Sequence, residues 1–204
     1  MSPEAKVPAP EVSQVAVPGH ASPADRIIAV AYELFSTRGV RDVGVNELIE
    51  RSGVAKATFY RHFPSKDSLV LAFLEQRDKR WTMDLILSEA QRRGSTPQEQ
   101  LLAIFDVFGD WFLREDFEGC SFAKVLLEMG PAHPLGRASI NYLTKIRGLI
   151  QAAGEEAGLV RPEEFAYSLL VLMKGSIVQA VEGDLQAAKR AKQMAGWLIE
   201  HHRG

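Results

Sequence analysis

The chain is poor in cysteine, and its one thiol, Cys120, excludes an intrachain disulfide and suits a reducing cytoplasm. Long hydrophobic runs are missing. The stretch Ser168–Met173 stops at Lys174, far short of the roughly 20 apolar residues that a membrane helix needs, so no membrane partner is expected. No basic segment followed by an apolar one opens the chain, which argues against secretion. The histidines (His20, His62, His133, His201 and His202) lack metal-ligand spacing, and no metal or cofactor is expected. No nucleophile–base pairing, glycine-rich phosphate loop or paired-carboxylate motif is present, which argues against an enzyme and leaves no catalytic residue to name. Alternation with a period of two is absent as well, so the fold reads as all-α.

Charge of one sign is also lacking. A net charge of −2 argues against a protein that coats nucleic acid by bulk attraction, but its distribution is uneven. Residues 23–80 carry ten Lys/Arg against eight Asp/Glu, whereas residues 81–204 carry thirteen against sixteen. Contact-surface charge, rather than the total, governs affinity for DNA.

What is present is a succession of helix signals. Residues 1–22 mix prolines with Ala, Val and Ser and predict a disordered tail. Ser22-Pro23-Ala24-Asp25 then makes an N-cap, a proline at the first helical position and an acid in the first turn. Ile27, Ala31, Leu34 and Phe35 form one apolar stripe, ended by Gly39. A second and third short helix flank Ser52-Gly53-Val54, with Leu48, Ile49, Val54, Phe59 and Phe63 as a small core. A fourth helix starts at Ser65 and is expected to run unbroken to about residue 91, nearly 40 Å at about 1.5 Å per residue. Further helices are expected near 97–114, 120–129, 134–157, 162–182 and 184–202, separated by Gly/Pro breakers. The predicted division is 23–66 for a three-helix helix-turn-helix domain and 67–204 for a larger helical domain.

From Arg51 to Lys66 there are four basic residues (Arg51, Lys56, Arg61, Lys66) and no acid. A short cationic helix behind a glycine turn is how a helix-turn-helix presents itself to the major groove. If the third helix covers about Lys56 to His62, Phe59 and Phe63 face inward while Lys56, Ala57, Thr58, Tyr60 and Arg61 lie outward. That outer set combines a bidentate donor, a methyl-bearing hydroxyl, a small apolar contact and a phenol suited to phosphate. Lys66 opens the fourth helix, where the dipole disfavours a cation unless a phosphate docks there. The plain alternative is a solvated basic face.

The order GVAKATFYRHFPSKDSL, within residues 24–74, resembles the DNA-binding domain of the TetR family of transcriptional repressors. The resemblance implies that Lys56, Ala57, Thr58, Tyr60, Arg61, His62 and Lys66 contact DNA, with Asn46 near the start of the preceding helix. Gly44-Val45 stands where the family often has a Thr pair, and Ala55 stands where Ser is usual. Ala is the poorer N-cap by about 1 kcal/mol.

The resemblance also implies a C-terminal domain that binds a small effector and forms a homodimer. It rests there on Glu118-Gly119-Cys120-Ser121-Phe122 and on Lys174-Gly175 with Val181–Asp184. Read from the residues, 101–113 is apolar almost all round and predicts a buried helix. Phe105, Phe108, Phe112, Phe122, Met129 and Met173 offer aromatic and thioether surface suited to an apolar cavity, or else to a filled core. Together with Trp81, Cys120, Lys174 and Ile177 they are the candidate ligand-binding residues. Lys174 either snorkels to solvent or counters an anionic ligand; Cys120 is either an oxidant sensor or a plain pocket thiol. The expected dimer face pairs Leu169, Leu172, Ser176 and Ala180 with Ala187, Ala191, Met194, Ala195 and Leu198.

The function that follows is a cytoplasmic homodimeric regulator, most simply a repressor. It would bind palindromic double-stranded operator DNA and be released by a small hydrophobic effector. The alternative is a helix-turn-helix structural factor that needs no ligand.

Overall fold

A computed structural model describes residues 22–204, so the tail expected over 1–22 lies, but for Ser22, outside the described residues. Within that span the chain is helical. Helix α1 (Pro23–Arg38) begins with a reciprocal cap, in which the Ser22 hydroxyl accepts the Asp25 amide and the Asp25 carboxylate accepts the Ser22 amide. Helices α2 (Val45–Ser52) and α3 (Lys56–His62) follow, joined at Gly53, whose left-handed φ of 62° makes the sharp turn without Cβ strain.

Helix α4 (Lys66–Arg77) is capped by Ser65 and Ser68, each hydroxyl accepting the other's amide at 3.1 Å. It does not stay α-helical throughout. From Asp78 to Leu87 the backbone widens into π-helix and then narrows into α5 (Ser88–Arg93). The expected long fourth helix is therefore continuous but changes its winding at the stretch that carries Trp81. Helices α6 (Pro97–Phe112), α7 (Ser121–Met129), α8 (Pro134–Glu156), α9 (Pro162–Val181) and α10 (Ala187–His201) complete the described chain. The order and approximate bounds of these helices follow the capping and breaker signals of the sequence.

Two apolar cores meet within this frame. The first joins Ile27, Leu34 and Phe35 of α1, Leu48 of α2 and Phe59 of α3 to Leu69, Val70, Phe73 and Leu74 of α4. It continues into Phe122, Val125, Leu135 and Leu143 of α7 and α8. Packing thus runs straight across residue 66. The second core lies among α6, α8, α9 and α10 with Trp81 and Ala90. Tyr32, Cys120 and Ile146 touch both.

Helix α7 also grips the end of α1 by hydrogen bonds. Lys124 Nζ donates to the Ser36 carbonyl at 2.9 Å, and the Glu128 carboxylate accepts the amides of Val40 (2.9 Å) and Arg41. The two side chains stand one turn apart, a cation on the carbonyl end of α1 and an acid on the free amides beyond it. Burial lowers the Lys124 amine's pKa, countered in part by Glu118. Glu128→Ala should destabilise the protein by about 1–3 kcal/mol in urea unfolding, because two backbone donors lose their acceptor. An unchanged midpoint and slope would show that water replaces the carboxylate freely.

Helix α9 is long and apolar enough to cross a membrane by length and composition alone. Its apolar residues divide instead between an inner and an outer face. Phe165, Leu169, Met173, Ile177 and Ala180 are buried among neighbouring helices, while Tyr167, Val171, Val178 and Val181 are exposed. Ala187, Ala191 and Ala195 of α10 pack inward too. This corrects the expected dimer face: Leu169, Ser176, Ala180, Ala187, Ala191 and Ala195 are buried within one chain, Leu172 and Leu198 pack half-buried against the same core, and only Met194 of that set is exposed. Small residues on α9 and α10 serve the close approach of these two helices to each other and to α6.

Candidate nucleic-acid interface and adjoining cavity

Helix α3 is held by its inner side. Phe59 is fully buried, and Phe63, just past the helix, packs beside it with ring centroids 6.4 Å apart. With that side fixed, Lys56, Ala57, Tyr60, Arg61 and His62 are exposed, Thr58 is half-buried and Asn46 projects from α2 as an exposed neighbour. Tyr60 packs edge-on against Phe59 at 5.5 Å, which steadies its ring while leaving 41% of the residue open. Ala55 is the N-cap and makes no side-chain cap, as its chemistry requires.

The ion pairs sharpen the electrostatics. Arg51 is bound by Glu33 at 2.9 Å, and Arg38 by Glu47 at 2.5 Å. Of the four cations in the acid-free run, Arg51 is therefore spent inside the domain. Lys56, Arg61 and Lys66 make no ion pair among the described residues. Lys66 is half-buried at the first position of α4, where the Ser65 hydroxyl accepts the amide of Ser68 and the Ser65 carbonyl accepts that of Leu69.

Arg61→Ala should weaken binding to a selected duplex by about 1–3 kcal/mol and relax preference at one base pair. Lys66→Ala should weaken all duplexes alike and lower the salt slope by about one. Titrations at several salt concentrations separate the two patterns, and parental behaviour in both variants would remove this face from contention.

At the seam of the two cores lies a cavity with about 700 Å³ of non-atom space, open solvent at its mouth included. Its walls come from α4 and the π-helical stretch (Arg77, Trp81, Thr82, Ile86, Leu87), from α6 (Ile104, Phe108, Trp111), and from the helices beyond. Of the residues expected from sequence, Trp81, Phe108, Cys120, Phe122, Met173, Lys174 and Ile177 line it. Phe105, Phe112 and Met129 do not. Phe105 and Phe112 are buried on other sides of α6, Phe112 against Phe117 at 5.0 Å, and Met129 packs against the first core. A helix that is apolar all round gives no periodicity from which its cavity side can be chosen.

Arg77 escaped the sequence reading, yet it is the polar centre of the region. It is 5% exposed, donates from Nη1 to the Tyr32 hydroxyl at 2.8 Å and from Nη2 to the Gly119 carbonyl at 3.2 Å. Its guanidinium lies 4.3 Å from the centre of the Trp81 ring. Burial raises the pKa of the Tyr32 phenol, and Arg77 opposes that rise. A usable signal existed: Phe73, Arg77 and Trp81 fall at successive i+4 steps, which sets the arginine on the inward face. No group of three or more His, Cys, Asp or Glu that could hold a metal forms among the described residues.

Comparison with known proteins agrees with this geometry. Residues 27–73 match the model for bacterial regulatory proteins of the tetR family. An uncharacterized HTH-type transcriptional regulator of Mycobacterium tuberculosis is 33% identical over 79 residues, 39% of this chain and 38% of that protein. The HTH-type transcriptional activator FasR of Mycolicibacterium smegmatis is 32% identical over 97 residues, 46% of this chain and 42% of that protein. The matched stretches thus span less than half the length of these curated relatives. Among solved structures, a TetR-family transcriptional regulator from Streptomyces coelicolor superposes with a TM-score of 0.81 at 22% identity, covering 89% of this chain and 96% of the other. A putative TetR-type regulator from Streptomyces avermitilis gives 0.79 at 24% identity, covering 89% and 98%. These likenesses extend the shared fold through the C-terminal helices.

Proposed function

We infer that this chain, which carries a TetR-family DNA-binding domain over residues 27–73 within a TetR-type fold, is a homodimeric transcriptional regulator that acts in the cytoplasm. It occupies palindromic operator DNA as a repressor and is released by a small hydrophobic effector held in the cavity. One observation carries the DNA-binding reading: α3 offers exposed Lys56 and Arg61, free of ion pairs among the described residues, on a helix anchored from behind by Phe59.

Two such helices across a two-fold axis would enter successive major grooves, which makes the operator palindromic. The exposed stripe of α9, with Leu185, Met194 and Trp197 beside it, supplies the surface for that axis. An effector releases DNA only if it binds the two states with different affinity. The cavity is placed for this, since its walls include Arg77, which holds Tyr32 of α1, and Phe122 of α7, the helix that grips the end of α1. A preformed cavity at this seam also favours the ligand-responsive reading over a structural factor.

Selection of bound sequences from random duplex DNA tests the proposal directly. The expected product is an inverted repeat with half-sites about one helical turn apart. A reporter driven through that sequence then gives the sign of regulation, which matters because FasR is named an activator. Recovery of no preferred sequence, or of a single half-site, would overturn it.

A further inference from the structure

The walls of the cavity are apolar, but its charges are all of one sign. Arg77 and Lys174 line it, and no Asp or Glu does. Lys174 is exposed, whereas Arg77 is buried with only neutral acceptors, the Tyr32 hydroxyl and the Gly119 carbonyl. The nearby acids have other cations beside them: Asp116 pairs with Arg114 at 2.6 Å, one oxygen of Asp78 with Lys145 at 2.6 Å, and Glu118 feels Lys124 more strongly than it feels Arg77. Arg77 forms no ion pair among the described residues. A buried guanidinium of this kind is costly unless something compensates it, and aromatic faces do so only in part. Here Trp81 at 4.3 Å and Trp111 at 5.6 Å provide those faces. Trp111 adds a second unmet demand, because its buried indole Nε1 has no acceptor.

Resting on the effector-cavity reading above, we propose that the effector is an amphipathic monocarboxylate. Its carboxylate accepts from Arg77, and its hydrocarbon body lies among the aromatic and aliphatic walls formed by Phe108, Ile150 and Ile177. A planar guanidinium fork matches a carboxylate in geometry as well as charge. A dianionic head would call for more donors than one guanidinium supplies. Lys174 adds long-range attraction for the same sign of ligand. The site also offers a route from occupancy to the DNA-binding domain, because the carboxylate competes with the Tyr32 hydroxyl for Arg77, a side chain that ties α1 to the cavity.

The test titrates the full chain with octanoate, octanol and octanamide by calorimetry. Octanoate should bind at least about tenfold tighter than either neutral probe, as expected for a desolvated charge pair. In Arg77→Met, this preference should vanish while octanol binding stays within a few-fold of the parent. Equal binding of octanoate and a neutral probe to the parent overturns the proposal, and this comparison needs no variant to fold. Octanol or octanamide binding that is lost in Ile177→Trp, with no gain for octanoate in the parent, sinks the carboxylate but leaves the cavity as the effector site. Failure of all three probes to bind overturns both readings.

Discussion

Placing two glutamates on the outer face of α9, as Val171→Glu with Val178→Glu, should turn the proposed dimer into monomers and reduce operator affinity by on the order of 10²–10⁴-fold. Tyr167, Val171, Val178 and Val181 lie on one side of α9, and Leu185 continues the line past the helix end. Val171 is 69% exposed and Trp197 of α10 is 63% exposed, values unusual for large apolar side chains clustered on one surface. A second copy of the same surface buries such a patch symmetrically. Inside that contact the two carboxylates of each chain would be desolvated with the single exposed Lys174, three and four residues away on α9, to pair them, a cost the association does not absorb. The fold itself should survive, since neither valine belongs to the core. The size of the DNA effect comes from linkage: once one reading helix is bound, its tethered partner meets the second half-site at high effective concentration. Sedimentation at micromolar concentration and operator titration check the two outcomes. A variant that stays dimeric would place the axis elsewhere.

This face shows where sequence reasoning stopped short. The helices themselves were legible because caps and breakers act locally: Ser22 with Asp25, Thr96 with Glu99 and Gly53 at the turn each fix a boundary by contacts within four residues. The outward face of α3 was legible for a related reason, since Phe59 and Phe63 at i+4 spacing dictate which residues must point outward. The partners of α9 were not legible. That helix is apolar on opposite sides, and small residues such as Ser176, Ala180, Ala187 and Ala191 invite close packing equally within a chain or between chains. Only the fold shows that α10 and α6 take up that inner side. The same ambiguity placed Phe105 and Phe112 in the cavity wall, where α6 presents Ile104, Phe108 and Trp111 instead. Arg77 was obscured differently. Its charge suggests solvent, whereas its buried state depends on Tyr32 and Gly119, 45 and 42 residues away in sequence.

Replacing Ile177 with tryptophan should abolish the response to effector while leaving operator binding at the parental level. Ile177 stands on the inner face of α9, 9% exposed, and lines the cavity together with Met173 and Lys174. It belongs to the second core, not the one that seats α3. An indole there replaces empty space with aromatic volume, and the cost of overpacking, typically about 1–3 kcal/mol, is limited by the room already present. The occupied cavity has no space for the apolar body of a ligand, so the binding energy that would separate the two conformational states is lost. Operator affinity has no such dependence, because Lys56, Arg61 and Lys66 keep their supports. The decisive measurement is release of labelled operator by an effector that works on the parent. Release of the variant at the same effector concentration would move the effector site out of this cavity. Weakened operator binding without effector would show instead that filling the cavity mimics the ligand. In that case the space between Arg77 and Ile177 is itself the element whose occupancy sets the spacing of the reading helices.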